Sequence, residues 1–291
     1  MAGEEKKIIL NHISINYSEL GNGNPLIFLH NGGGFWQSWY YQIKYFSQKY
    51  KVYAIDWPGF GGSGLPNGLL SLDLLVEILS SFMLNLNIPK ACFIGNCIGA
   101  SATLKFAILF PDKVDKLILL NICPGDKVIP GWIFRKLIRK LNQTGVLKSL
   151  FENILKFIFL KTWVKNKFPG ILFGESYYPD DALALEYIEK FKQPDQTESR
   201  VNLLFSVFTY NLDTILKGHV PPEHMMIWGR ENKVVPLISF GWNSARILKS
   251  KQFEIVENAG HLCAYESPGI VNSLIENYLE NKPVHNDLIS N

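Results

Sequence analysis

Five residues, Gly95-Asn96-Cys97-Ile98-Gly99, constrain the fold more than any other stretch of this 291-residue chain. They follow a short apolar run at 91–94 and lead into a helical pattern over 98–109, which Phe110-Pro111 ends. A side chain held on so tight a strand-to-helix turn sits in strained backbone. Glycines two before and two after it remove the side chains that would collide. The central side chain is presented above the sheet edge at a helix N-terminus, where the dipole and free amides favour thiolate over thiol. Cys97 is therefore a candidate nucleophile. Cys92 lies inside the strand run and reads as core, and Cys123 and Cys263 have no comparable setting.

The rest of the chain repeats the strand-then-helix rhythm of a mostly parallel sheet with crossover helices. Strands are expected in the amphipathic stretch 7–17 and at 26–29, 52–55, 91–94, 114–120, 225–228 and 253–256. Helices are expected near 36–48, 71–87, 98–109, 236–248 and 267–279. Between 126 and 218 the pattern is helical without strand runs, so this segment reads as an insertion in one α/β domain formed by 1–125 and 219–283, with 284–291 a frayed tail.

Composition narrows the function classes. Hydrophobic residues make up 47% and charged residues 19%, which excludes a disordered or collagen-like chain. A net charge of +3 gives no global case for nucleic-acid binding. Four cysteines are too sparse for a disulfide scaffold. The start lacks the features of a signal peptide, and no run of about 18 uncharged apolar residues is present, so a cytoplasmic protein with free thiols and no membrane span is expected. No His-x-x-x-His, Cys-x-x-Cys, P-loop or dinucleotide fingerprint occurs, and no cofactor is expected.

Four motifs in order carry a resemblance to the α/β-hydrolase superfamily, and it covers nearly the whole chain. The elbow around Cys97 is the first. His30-Asn31-Gly32 resembles the family's His-Gly-x turn, with Asn31 where glycine is usual. Asp56-Trp57-Pro58-Gly59-Phe60-Gly61-Gly62-Ser63 is similar to its D-x-P-G-x-G-x-S loop, and Ala259-Gly260-His261, with Glu266 and Pro268 behind, resembles the loop of the catalytic histidine. The resemblance implies an eight-stranded α/β sheet with a helical lid over the nucleophile.

It also implies three further parts. His261 would be the acid and base, the side chain suited to proton transfer near neutral pH. The amides of Gly32 and Ile98 would form an oxyanion hole, with His30 bracing the loop. The segment 228–236 resembles the family's G-x-x-D-x-x-V-P loop, but Asn232 stands where the acid is expected. Asparagine fixes a histidine tautomer without stabilising an imidazolium by charge. A thiol titrates near about 8.5 and needs less help than a hydroxyl, so the Cys and the Asn suit each other. Glu231, Asp126 and Asn121 are the alternatives for this place. If the triad is right, Asn232→Asp should keep or raise activity.

A Cys97 acyl-enzyme is a thioester, more reactive toward amines and thiols than an ester. Hydrolysis of an apolar acyl ester or thioester is the first expectation, and acyl transfer or cyclisation the alternative. A non-catalytic receptor or a lyase on the same fold stays open. Apolar residues of the insertion, Trp132 and Phe134 among them, would line the acyl pocket, with Gly33 and Trp57 touching substrate. Ten basic residues and one acid lie between Lys127 and Gly170. They offer a surface for an acyl carrier protein or coenzyme A.

Overall fold

A computed structural model describes residues 3–68, 70–128, 136, 169–177, 182–207 and 209–282. The strands are β1 (Glu4–Leu10), β2 (Ile13–Leu20), β3 (Asn24–Leu29), β4 (Tyr50–Ile55), β5 (Ala91–Asn96), β6 (Val114–Leu120), β7 (Met225–Gly229) and β8 (Gln252–Val256). They form one sheet in the order β1-β2-β4-β3-β5-β6-β7-β8, antiparallel from β1 to β4 and parallel from β4 onward.

The stretch 7–17 is not one strand. It folds back at Asn11 and His12, both with positive φ (47° and 63°), the two-residue hairpin turn that asparagine tolerates well. Each half keeps its alternation, so the period-2 signal runs through the turn without marking it. The inner strands β3, β5 and β6 are apolar because both of their faces are covered. One face packs Ile27, Leu29, Phe93, Leu117 and Leu119 under helices α2 (Leu72–Asn85) and α3 (Ile98–Leu109). The other packs Leu26, Phe28, Ile94, Ile118 and Leu120 with Trp39, Ile43 and Phe46, which lie in a 3₁₀ turn (Trp36–Trp39) and in α1 (Tyr40–Phe46). Ser71 caps α2, its hydroxyl accepting from the Leu74 amide at 3.2 Å.

The described part of 126–218 carries α4 (Ala182–Lys192), α5 (Pro194–Val207) and the short α6 (Leu212–Leu216). Helices α7 (Trp242–Leu248), α8 (Cys263–Glu266) and α9 (Pro268–Leu279) follow among the described residues. Trp132 and Phe134, expected in the acyl pocket, lie outside the described residues, as does most of the basic stretch. Among the described residues no helix is long and apolar enough to cross a membrane.

The chain leaves β3 toward β4 on one side of the sheet and returns to β5 on the other. The carboxyl ends of β3 and β5 therefore flank the point where strand order reverses, where a crevice opens above an α/β sheet. Gly32 follows β3 and Cys97 follows β5, so topology alone brings them together.

Candidate active site

Cys97 has φ 55° and ψ −111°, a sparsely populated conformation for a residue with a Cβ. The fold holds it there. Its amide donates to Leu120 O at 2.9 Å, and its carbonyl accepts from Ser101 N at 3.1 Å and Cys123 N at 3.2 Å. A Cβ on Gly95 would meet Ala100 N at 2.5 Å, and one on Gly99 would strike the Leu29 carbonyl. The two glycines are thus required by backbone packing. The sulfur lies against the amides of Ile98 and Gly32, the two donors expected of an oxyanion hole.

His261 sits in the loop after β8, fully buried on the same cavity wall as Cys97. Its Nδ1 donates to Asn232 Oδ1 at 3.2 Å, which leaves Nε2 as the unprotonated nitrogen. Asn232 Oδ1 is fixed in turn by the amides of Val234 (3.0 Å) and Val235 (2.9 Å), and its Nδ2 donates to Asn121 Oδ1 at 3.0 Å. The other candidates are engaged elsewhere. Glu231 accepts from Ser176, Asp126 from Asn211, and Asn121 reaches only the backbone oxygen of His261. Burial pulls the imidazole down to about 3, so a lasting imidazolium is disfavoured.

Glu266 builds the histidine loop. Its carboxylate accepts from Gly174 N (2.7 Å), Gly260 N (2.9 Å) and Leu262 N (3.1 Å). Across the site, His30 accepts from the Trp57 amide at Nε2 (2.9 Å) and donates from Nδ1 to Asn31 O (2.6 Å), a brace for the Gly32 loop. Asp56 ties the same region together through the amides of Trp36 (2.6 Å) and Gly62 (2.8 Å). Trp57 is 1% exposed, donates Nε1 to His30 O and packs in the core, and Gly33 forms the turn at φ 82°. Neither is among the described residues that line the cavity above Cys97. Asn31, the departure from the family turn, bonds the Tyr187 hydroxyl of α4 at 3.3 Å and so ties this loop to that helix.

The cavity above Cys97 has a volume of about 190 Å³. Its walls are mostly apolar, from Ile98, Leu172, Leu203, Leu204, Val207 and Val235, with Arg200 of α5 as the charged group. A second thiol, Cys123, also opens onto it. Cys97 and Cys123 are close enough for each to shift the other's titration, and the Tyr210 hydroxyl is near Cys123. The neighbouring Cys97 thiol lowers Cys123 to about 7 against its burial, while Cys123 and burial raise Cys97. The negative charge of the pair therefore rests more readily on Cys123 than on Cys97. Sequence reading missed Cys123, Arg200 and Tyr210. The available signal for Cys123 was that it follows β6, the parallel neighbour of the elbow strand. A larger groove of about 720 Å³ lies by His224 and Gln252, at the opposite end of β7 and β8.

Among the described residues no group of three His, Cys, Asp or Glu side chains is placed to hold a metal ion. A family model described as alpha/beta hydrolase fold matches residues 24–268. The chain is 26% identical to the 2-hydroxy-6-oxononadienedioate/2-hydroxy-6-oxononatrienedioate hydrolase of Comamonas testosteroni, covering 94% of this chain and 93% of that protein. It is 22% identical to epoxide hydrolase 2 of Caenorhabditis elegans, over 94% of this chain and 79% of the relative. Among solved structures, a thermophilic esterase from Thermogutta terrifontis superposes with a TM-score of 0.74 at 19% identity, covering 96% of this chain and 98% of that one. With the sheet order, the elbow and the histidine loop all in place, the chain belongs to the alpha/beta hydrolase fold family.

Proposed function

We propose that the protein is a hydrolase that cleaves a small acyl ester or thioester through a covalent Cys97 acyl-enzyme. The observation that carries this is the position of the Cys97 sulfur: on the elbow, against the amides of Gly32 and Ile98, and on one cavity wall with His261. The relatives named above are hydrolases of other bonds, and family membership supports hydrolysis as the reaction type.

A thiol gives up its proton more readily than a hydroxyl, so a Cys97–His261 pair needs less charge support from its third member, which suits an asparagine at position 232. Attack on the acyl carbon places the carbonyl oxygen between the Gly32 and Ile98 amides. His261 Nε2, aimed by the bond from Nδ1 to Asn232, takes the Cys97 thiol proton as the sulfur attacks, passes it to the leaving oxygen or sulfur, and later takes one from the water that cleaves the acyl-enzyme. A cavity of about 190 Å³ suits a short acyl group. Amines or thiols competing with water would turn the same intermediate to acyl transfer, and an acyl carrier protein or coenzyme A is the carrier the basic stretch would favour.

Arg200 on the wall favours a substrate that carries a carboxylate. The Comamonas relative is named for a dioate, which agrees with that preference.

The test is intact mass after incubation with a panel of short acyl esters and thioesters, beside Cys97→Ala. An acyl adduct present in the wild type and absent from the variant is expected, and chasing it with water or an amine separates hydrolysis from transfer. No adduct in either protein, with turnover retained in Cys97→Ala, would overturn the reading.

A further inference from the structure

The mechanism uses one thiol of the cavity, yet the cavity holds two. Cys97 and Cys123 are both buried and both line it, and the other two cysteines do not. Their backbones are joined directly by the bond from Cys123 N to Cys97 O at 3.2 Å. A direct main-chain hydrogen bond brings the two backbones into adjacency, as a disulfide requires. Ser101 fixes both partners, its hydroxyl reaching Cys123 O at 2.9 Å and Cys97 O at 3.3 Å. Both side chains line the one cavity, which puts the two sulfurs on a shared space.

We propose that Cys97 and Cys123 are a modification site for hydroperoxides, which convert them to a reversible disulfide that removes the nucleophile. A cavity of about 190 Å³ admits hydrogen peroxide. The thiolate of the pair attacks one peroxide oxygen: an S–O bond forms, the O–O bond breaks, and the departing oxygen leaves as water or an alcohol after taking a proton. The second thiol then attacks the sulfenic sulfur. The S–S bond forms, the S–O bond breaks, and the hydroxyl departs as water with that thiol's proton. Two electrons pass from the two sulfurs to the peroxide, and an external dithiol returns them by exchange. Burial holds Cys92 and Cys263 up near about 12, so neither competes as a thiolate.

Rigid placement also protects the nucleophile. A resolving thiol in contact captures the sulfenic acid before a second peroxide carries it to the irreversible sulfinic state. The shut-off of activity rests on the acyl-enzyme reading, whereas the disulfide itself does not.

The test treats the full-length protein with hydrogen peroxide, then follows intact mass, unreduced peptide maps and turnover of an acyl ester. The expected result is a loss of about 2 Da, mapped to a Cys97–Cys123 cross-link, with activity lost in step and regained with dithiothreitol. In Cys123→Ser the same treatment should add about 32 or 48 Da at Cys97, and the loss relative to the untreated variant should resist dithiothreitol. Retention of both thiols at peroxide levels that oxidise a free cysteine peptide would overturn the proposal, as would a cross-link to another cysteine. A Cys97–Cys123 cross-link with turnover unchanged would overturn the shut-off and the nucleophile reading together.

Discussion

Asn121 and Asn232 meet side chain to side chain in the core, Asn232 Nδ2 donating to Asn121 Oδ1 at 3.0 Å. Asn121 Oδ1 also accepts from Gly229 N at 3.0 Å, while its Nδ2 reaches Asn96 Oδ1 and His261 O, both at 3.2 Å. The three asparagines thus form one closed network with a fixed direction. Turning the Asn121 amide over would set like groups against each other at Gly229 and at His261.

This network reverses the sequence-based expectation for Asn232→Asp. The new carboxylate would keep the donors at Val234, Val235 and His261, but its second oxygen would face the Asn121 oxygen. Loss of that donor in a buried site is expected to cost about 1–3 kcal/mol of stability and to lower activity rather than raise it. Urea denaturation beside steady-state rates checks this, and a variant at least as stable and active as the wild type would refute it.

Glu266 gives a pH signature with a definite sign. Burial holds its carboxyl up at about 7 from the ordinary 4.5, outweighing the three amides it accepts from. The folded chain keeps this proton where the unfolded chain has released it, so the group costs stability as pH rises from 4.5 toward 7. His30 and His261 act oppositely. Burial lowers them from 6.5 to about 4 and about 3, and they cost stability as pH falls below 6.5. In Glu266→Gln only the first effect disappears. The stability of the variant relative to the wild type should therefore rise by about 1.4 kcal/mol per pH unit between about 5 and 6.5. A difference constant across that range, in chemical melts at several pH values, would show that Glu266 titrates normally.

A methyl group on Gly32 would collide with the end of Leu203, the residue of α5 that covers it. Gly32→Ala is expected to lose activity by displacing an oxyanion donor and to cost about 1–3 kcal/mol in overpacking. Adding Leu203→Ala removes the clash, so the double variant should regain part of the activity lost by the single one. Independent losses in a double-mutant cycle would show that the two residues do not press on each other.

Arg200 should act on binding more than on chemistry. Arg200→Gln is expected to raise KM about tenfold for a short ester bearing a free carboxylate, with little effect on a neutral ester of the same size. Equal effects on both substrates would assign Arg200 to packing instead.

The elbow, the Gly32 turn, the Asp56 loop and the His261 loop were legible in the sequence because each is a local device. Glycine spacing, a capping residue or a proline stop acts within a few residues and leaves its mark there. The succession of buried strands and helices was legible for the same reason, apart from the hairpin at Asn11–His12, where alternation continues through the turn. Only the tertiary structure decided what stands next to Cys97. Cys123 arrives because β6 is the parallel neighbour of β5, Asn121 because it sits at the same edge between β5 and β7, and Arg200 because α5 lies over the cavity. The indole N–H of Trp57 found a buried acceptor at His30 O, a partner 27 residues away. These contacts join residues far apart in the chain. Strand order and side-chain packing fix them, and neither appears in the periodicity of any single segment.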